Sequence, residues 1–274
     1  MKNVSEIINQ GNKNAELPAW LNMRHAWSAN DAKRDEGLAY PDNVIQIKNL
    51  DYKKEPDHQK WCEAVELLAS QRTMGEKTSE KYSRIFYYNE PDDASNLDSE
   101  RYASNSLFDI YYPAELDAQT SYPVIVSVHG GGWFYGDKEL YSYYCCHLAS
   151  KGFAVVNFNY RLAPQNKYPA AIEDVAYFIR YIHENAGVLH LDMEKFYMLG
   201  DSAGAQLTAN YCIIAGNAAY RNKLDFFTYD RLPKAVCLNC GAYEMDKRED
   251  NISDWYMKNE DGSYAAVSYT HLRA

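Results

Sequence analysis

At 274 residues, with 46% apolar and 24% charged side chains, the chain has room for one large domain with a substantial buried core. A net charge of −10 without any Lys/Arg cluster argues against nucleic acid and against anionic membrane surfaces as partners. No run approaches the ~20 consecutive apolar residues of a spanning helix. Residues 1–10 carry no long apolar stretch of the secretory kind, so a cytoplasmic location is the default expectation.

Residues 1–80 are polar and aromatic by turns, with helical stretches such as Trp61 to Leu68 and no β-type run. They are expected to form an N-terminal helical segment. From Lys81 the pattern becomes strands alternating with helices, with strands expected at 82–88, 107–112, 123–128, 153–159, 196–199 and 235–240. That alternation predicts an α/β fold, a mostly parallel sheet covered by helices on both faces. Pro123 to Val128 and Phe153 to Val156 are almost continuously apolar, as buried parallel strands are. Asp92 to Glu100 reads as a polar, hairpin-like connection. Ile172, Val175, Ala176, Ile179 and Ile182 are spaced to line one face of a helix on the sheet.

Six cysteines in a chain of this size make no disulfide framework. Cys237-x-x-Cys240 invites a metal reading, but it sits in Ala235 to Cys240, which reads as a buried strand. Residues three apart on a strand point to opposite faces, and no second Cys or His pair completes a tetrahedral site. No metal and no organic cofactor is expected. The 25 tyrosines are assigned mainly to half-buried strands and helix faces.

Two short strings carry the chemistry. Gly200-Asp201-Ser202-Ala203-Gly204 fits G-x-S-x-G, the sharp strand-to-helix turn that exposes a nucleophilic serine. His129-Gly130-Gly131-Gly132-Trp133 fits the glycine loop that supplies oxyanion-hole amides. Each directly follows an apolar β-type run. Ser202 is therefore the expected nucleophile, with Gly200, Asp201 and Gly204 building the elbow. Gly130, Gly131 and Ala203 are the expected oxyanion donors, worth ~3–4 kcal/mol each in a transition state. His129 and Gly132 are read as structural. His129 precedes the nucleophile, whereas this kind of fold places its base last, in the order Ser, Asp/Glu, His.

The chain resembles the hormone-sensitive-lipase-like family of α/β-hydrolases. Besides the two strings it carries Tyr160-Arg161-Leu162-Ala163-Pro164-Gln165, then Tyr168-Pro169-Ala170-Ala171 and Asp174, which resemble the family's segment between oxyanion loop and elbow. Gln165 stands where Glu is usual, and Ala205-Gln206 replaces the usual Gly-Asn. The resemblance covers roughly residues 81–243 and implies the α/β-hydrolase fold. It also implies hydrolysis of short-chain carboxylic esters through an acyl-enzyme, with no partner beyond a small-molecule ester, and a cap over the site formed by the N-terminal segment. Oligomeric state is not indicated. The family's acid follows the seventh core strand and its histidine the eighth, yet only one strand is legible after Ser202. The acid, the histidine and the last core strands are thus expected to be missing.

The organisation expected is a cap segment at 1–80, an incomplete core at 81–266 and a non-native tail at 267–274, which reads as translated sequencing adapter. His271, the single histidine after Ser202, falls in that tail, and Asp246 is the acid it would pair with in a variant arrangement. His25, His58, His147, His183 and His190 read as surface or core residues. Two other readings remain open at this point. One is a non-catalytic ligand-binding relative that kept the pocket. The other is a peptidase of the prolyl-oligopeptidase type, disfavoured by the HGGGW loop and by the absence of repeated β-blades.

Overall fold

Seven strands pair into one mixed sheet: β1 (Val44–Asp51), β2 (Arg84–Tyr87), β3 (Leu107–Pro113), β4 (Tyr122–Val128), β5 (Ala154–Phe158), β6 (Leu191–Asp201) and β7 (Ala235–Asn239). The computed structural model describes residues 18–54, 59–64, 84–89, 96–114 and 120–243, with short strand segments at 257–258 and 264–265. Helices among these residues include α1 (Ala19–Asp35), α2 (Glu100–Ser104), α3 (Ser142–Ala149), α4 (Ala170–Glu184), α5 (Ala203–Gly216) and α6 (Ala218–Arg221), and residues 59–64 are helical as well. A 3₁₀ turn covers Lys138–Tyr141.

The spatial order is β2-β1-β3-β5-β4-β6-β7. β5, β4, β6 and β7 run parallel, β3 is antiparallel to both β1 and β5, and β2 is parallel to β1. Period-two alternation sets the two faces. Phe108, Ile110 and Tyr112 of β3, Val124, Val126 and Val128 of β4, and Val156 and Phe158 of β5 join one core. Tyr111 and Val155 join the other, against Cys145, Cys146 and Ala149 of α3. On the larger core side α4 buries Ile172, Val175, Ala176, Ile179 and Ile182, the stripe read from the sequence, together with Phe178 stacked on Phe158 at 4.1 Å. The result is the α/β-hydrolase architecture.

This order positions a site. β5 and β6 lie on opposite sides of β4, so the crevice beyond the carboxyl end of β4 is where the direction of strand progression reverses. Open α/β sheets bind ligands at such a switch point. The loop after β4 and the elbow after β6 both open there, because Val128 pairs in register with Gly200.

Three expectations need correction. β1 is a strand inside residues 1–80, which carry no β-type run by simple pattern. Gln46, Lys48 and Asn49 interrupt its apolar positions yet are buried themselves. Lys48 pairs with Glu139 at 2.6 Å and Asn49 donates its N–H to Asp109 at 2.9 Å. The strand at 235–239 is exposed from Ala235 to Leu238 rather than buried, since among the described residues it pairs with β6 alone. The connection at 92–100 is not a hairpin: β2 and β3 both flank β1, and α2 begins at Glu100. Its residues 92–95 lie outside the described ones, as do 65–68, His58, Asp246, His271 and the tail at 267–274. Beyond β7 the described residues add a two-residue ladder, Met257–Lys258 with Tyr264–Ala265, in a separate sheet.

Candidate active site

Ser202 directly follows β6 and caps α5 with φ 49° and ψ −112°. A serine adopts this left-handed backbone only where its surroundings enforce it, and such strain is typical of functional turns. Here the enforcing contacts are explicit. The Ser202 amide donates to Asn239 O of β7 at 2.8 Å, and its carbonyl accepts the first helical bond from Gln206 at 3.2 Å. A Cβ on Gly204 would collide with the carbonyl oxygens of Val128 and His129, so the helix start packs directly on the end of β4. Leu207, Tyr211 and Ile214 then bury α5 in the core. Ala203, the first helical residue, presents an amide without an intrahelical partner beside the serine, at the positive end of the helix dipole.

The glycine run follows β4. Gly131 has φ 113°, and a side chain there would strike the Tyr135 carbonyl. Its own carbonyl accepts from Phe134 and Tyr135 at 3.2 and 2.9 Å, closing a turn that leaves Gly131 partly exposed while Gly130 and Gly132 are buried. Trp133 continues at φ 65° and donates its indole N–H to Gln206 Oε1 at 3.2 Å. Gln206, in one of the two departures from the family pattern, thus ties the glycine loop to the helix that follows Ser202.

His129 is 2% exposed and stacks on Tyr160 at 4.1 Å. Its Nδ1 lies 2.7 Å from the Gly130 carbonyl, and its own carbonyl accepts the Tyr160 hydroxyl at 2.9 Å. Burial pushes its pKa down to about 4, so the ring is neutral and Nδ1–H is the donor. These contacts make His129 a brace for the loop. Among the described residues no histidine hydrogen-bonds to Ser202. His25 pairs with Asp98 at 2.7 Å and His183 with the Tyr229 hydroxyl at 2.5 Å.

The sequence reading missed Arg24. It is fully buried on α1, yet it reaches the segments on either side of the site. Nε donates to Phe134 O at 2.6 Å, Nη1 to Leu97 O at 3.0 Å, and Nη2 to Ala163 O and Gln165 Oε1 at 3.0 and 2.9 Å. Its guanidinium lies over the Trp20 and Tyr102 rings. On the same helix Trp27 packs on Phe134 and Tyr135, and Asp31 accepts the Tyr135 hydroxyl at 2.7 Å. The spacing Leu21, Arg24, Trp27, Asp31 was the available signal: one helix face with two charged residues, Arg24 and Asp31, beside large apolar groups.

Cys237 and Cys240 are both exposed and free, and among the described residues no three His, Cys, Asp or Glu converge as a metal-ligand set. No helix among them is long and apolar enough to cross a membrane.

A strained serine between a parallel strand and a helix, facing a glycine loop at the sheet's switch point, defines an α/β-hydrolase. The chain belongs to the BD-FAE family, whose profile matches residues 108–263. It is similar to the esterase LipI of Mycobacterium tuberculosis, 37% identical over 101 residues, 36% of this chain and 32% of LipI. It is also similar to ethyl acetate hydrolase of Pseudomonas putida, 31% identical over 137 residues, 49% of this chain and 42% of that protein. Esterase B from Lactobacillus rhamnosis shares the fold with TM-score 0.61 at 24% identity, over 86% of this chain and 62% of esterase B. The chain spans about a third to two fifths of the length of these two curated relatives.

Proposed function

We propose that the protein is a serine carboxylic-ester hydrolase acting on short acyl chains, with Ser202 as nucleophile. The observation that supports this best is the Ser202 backbone at φ 49° at the start of α5, beside a loop turned by Gly131 at φ 113°. Ser202 Oγ attacks the acyl carbon. The amides of Gly130, Gly131 and Ala203 hold the oxyanion, and water later releases the acyl group from the acyl-enzyme. A serine hydroxyl needs a base to take its proton, and the described residues place no histidine at Ser202. The names of the curated relatives agree with an ester substrate, and the net charge of −10 agrees with a small neutral ligand rather than nucleic acid. Within this reading α1, lying along the glycine loop, belongs to the cap of the N-terminal segment.

The test is hydrolysis of aryl butyrate by the protein and by Ser202→Ala, both on a chain that carries the acid and the histidine expected to be missing here. Loss of ~10⁴-fold or more in kcat with folding intact is expected, along with a butyryl adduct on the peptide carrying Ser202. Turnover retained in Ser202→Ala overturns the nucleophile assignment. Faster turnover of palmitoyl than of butyryl esters overturns the acyl preference.

A further inference from the structure

We propose that Tyr141 is a positioning residue that locks the nucleophile elbow to the oxyanion loop through the carboxylate of Asp201. The proposal rests on the reading of Ser202 as nucleophile.

Asp201 directly precedes the strained serine. A carboxylate free to swing there would bring negative charge toward the place where the oxyanion forms, opposing the donors built for it. In the structure it is held: the Tyr141 hydroxyl donates to Asp201 Oδ2 at 2.6 Å, a short charge-assisted bond. Burial, and then this bond, push the Tyr141 pKa well up, so the hydroxyl remains a donor at any working pH. Gly130 closes the third side. A Cβ there would lie 3.1 Å from the Tyr141 oxygen, 3.1 Å from Asp201 Oδ2 and 3.0 Å from Asp201 O. The first glycine of the loop, the residue before the nucleophile and one hydroxyl therefore meet at a single point.

The hydroxyl is carried on a rigid arm. Tyr141 ends the 3₁₀ turn Lys138–Tyr141, and the start of that turn is fixed to the sheet. Lys138 Nζ pairs with the fully buried Asp109 of β3 at 3.1 Å and with Glu139 at 2.7 Å, and its amide donates to Asn159 Oδ1 at 2.6 Å. Arg34 of α1 adds a bond to Leu140 O at 3.1 Å. An arm fixed at one end and hydrogen-bonded to Asp201 at the other transmits the position of β3 to the elbow. A residue acting only as packing would need neither the hydroxyl nor the carboxylate.

Two readouts test this in Tyr141→Phe, in Asp201→Ala and in the double variant: turnover on a chain that carries the acid and the histidine expected to be missing here, and hydrogen exchange. Tyr141→Phe is expected to lower kcat on aryl butyrate by about 10²-fold, the scale of a displaced reacting group. KM should stay within ~3-fold, as for an interaction felt in the transition state. The double variant should be no worse than the worse single one, because both remove the same bond. By hydrogen exchange, the segments 129–136 and 200–206 should both exchange faster in either single variant, with α4 unchanged. Asp201→Ala makes the same exchange test should Tyr141→Phe not fold. Unchanged exchange at 200–206, additive losses, or a kcat retained in Tyr141→Phe overturns the proposal. If turnover survives Ser202→Ala, the nucleophile reading falls, and exchange alone then decides whether Tyr141 couples the two segments.

Discussion

His129 stands in the HGGGW string ahead of Ser202, the wrong side for the base of this fold, and reads from the sequence as structural. In the fold it is sealed against Tyr160, with a pKa pushed down to about 4 by burial. An unfolded histidine titrates near 6.5. Between those values the unfolded chain binds a proton that the native ring refuses, so stability falls as pH drops from ~6.5 toward ~4. The full effect is roughly 3 kcal/mol, at ~1.4 kcal/mol per pKa unit. Asp137, whose pKa burial raises to about 6, has the opposite sign, since its native carboxyl holds a proton that the unfolded one loses. The contribution of His129 is therefore read as a difference. Denaturant unfolding at pH 7 and pH 4.5 should show His129→Phe losing less stability on acidification than the native protein. Parallel losses would mean that the ring is not held neutral.

The clamp made by α1 belongs to the scale of elements. Arg24 carries its charge into the interior with no carboxylate on it among the described residues, and burial lowers its pKa to about 10. Its side-chain partner Gln165 occupies the position where the resembling family has Glu. Gln165→Glu should turn a neutral hydrogen bond into a charge-assisted one and raise stability by about 1 kcal/mol. Arg24→Ala should strip the donors from three carbonyls and cost at least ~3 kcal/mol. Thermal melting of both variants checks the pair, and a lower melting temperature in Gln165→Glu would refute the account. Little of this was legible in advance. The strings around Ser202 and His129 could be read because local geometry dictates them: a strained turn and a glycine loop need particular residues in consecutive positions. Arg24 to Phe134 and Tyr141 to Asp201 span 110 and 60 residues, and no local pattern records such a contact. β1 was hidden for a related reason. Lys48 and Asn49 look like surface residues until Glu139 and Asp109 are brought beside them by the fold.

At the scale of the whole molecule, the sheet ends unevenly. β7 holds Ser202 through the Asn239 carbonyl, so it belongs to the site, yet Val236 and Leu238 are 41% and 37% exposed. Ala235 to Asn239 carries no charge and no proline, the two devices that usually keep an edge strand from pairing with another chain. Leu232 and Ile213 add exposed apolar surface, 50% and 55% accessible. Among the described residues, nothing pairs with the outer edge of β7. The protein should therefore self-associate with rising concentration, visible by analytical ultracentrifugation. Val236→Lys should shift the distribution toward monomer, because a lysine on an edge must be desolvated for a second strand to pair. β7 is held from the β6 side by backbone bonds from Tyr197 to Asp201, which the substitution leaves intact. The Val236→Lys monomer should then keep the Ser202 turn as it is. An unchanged association equilibrium in Val236→Lys would place self-contact elsewhere on the molecule.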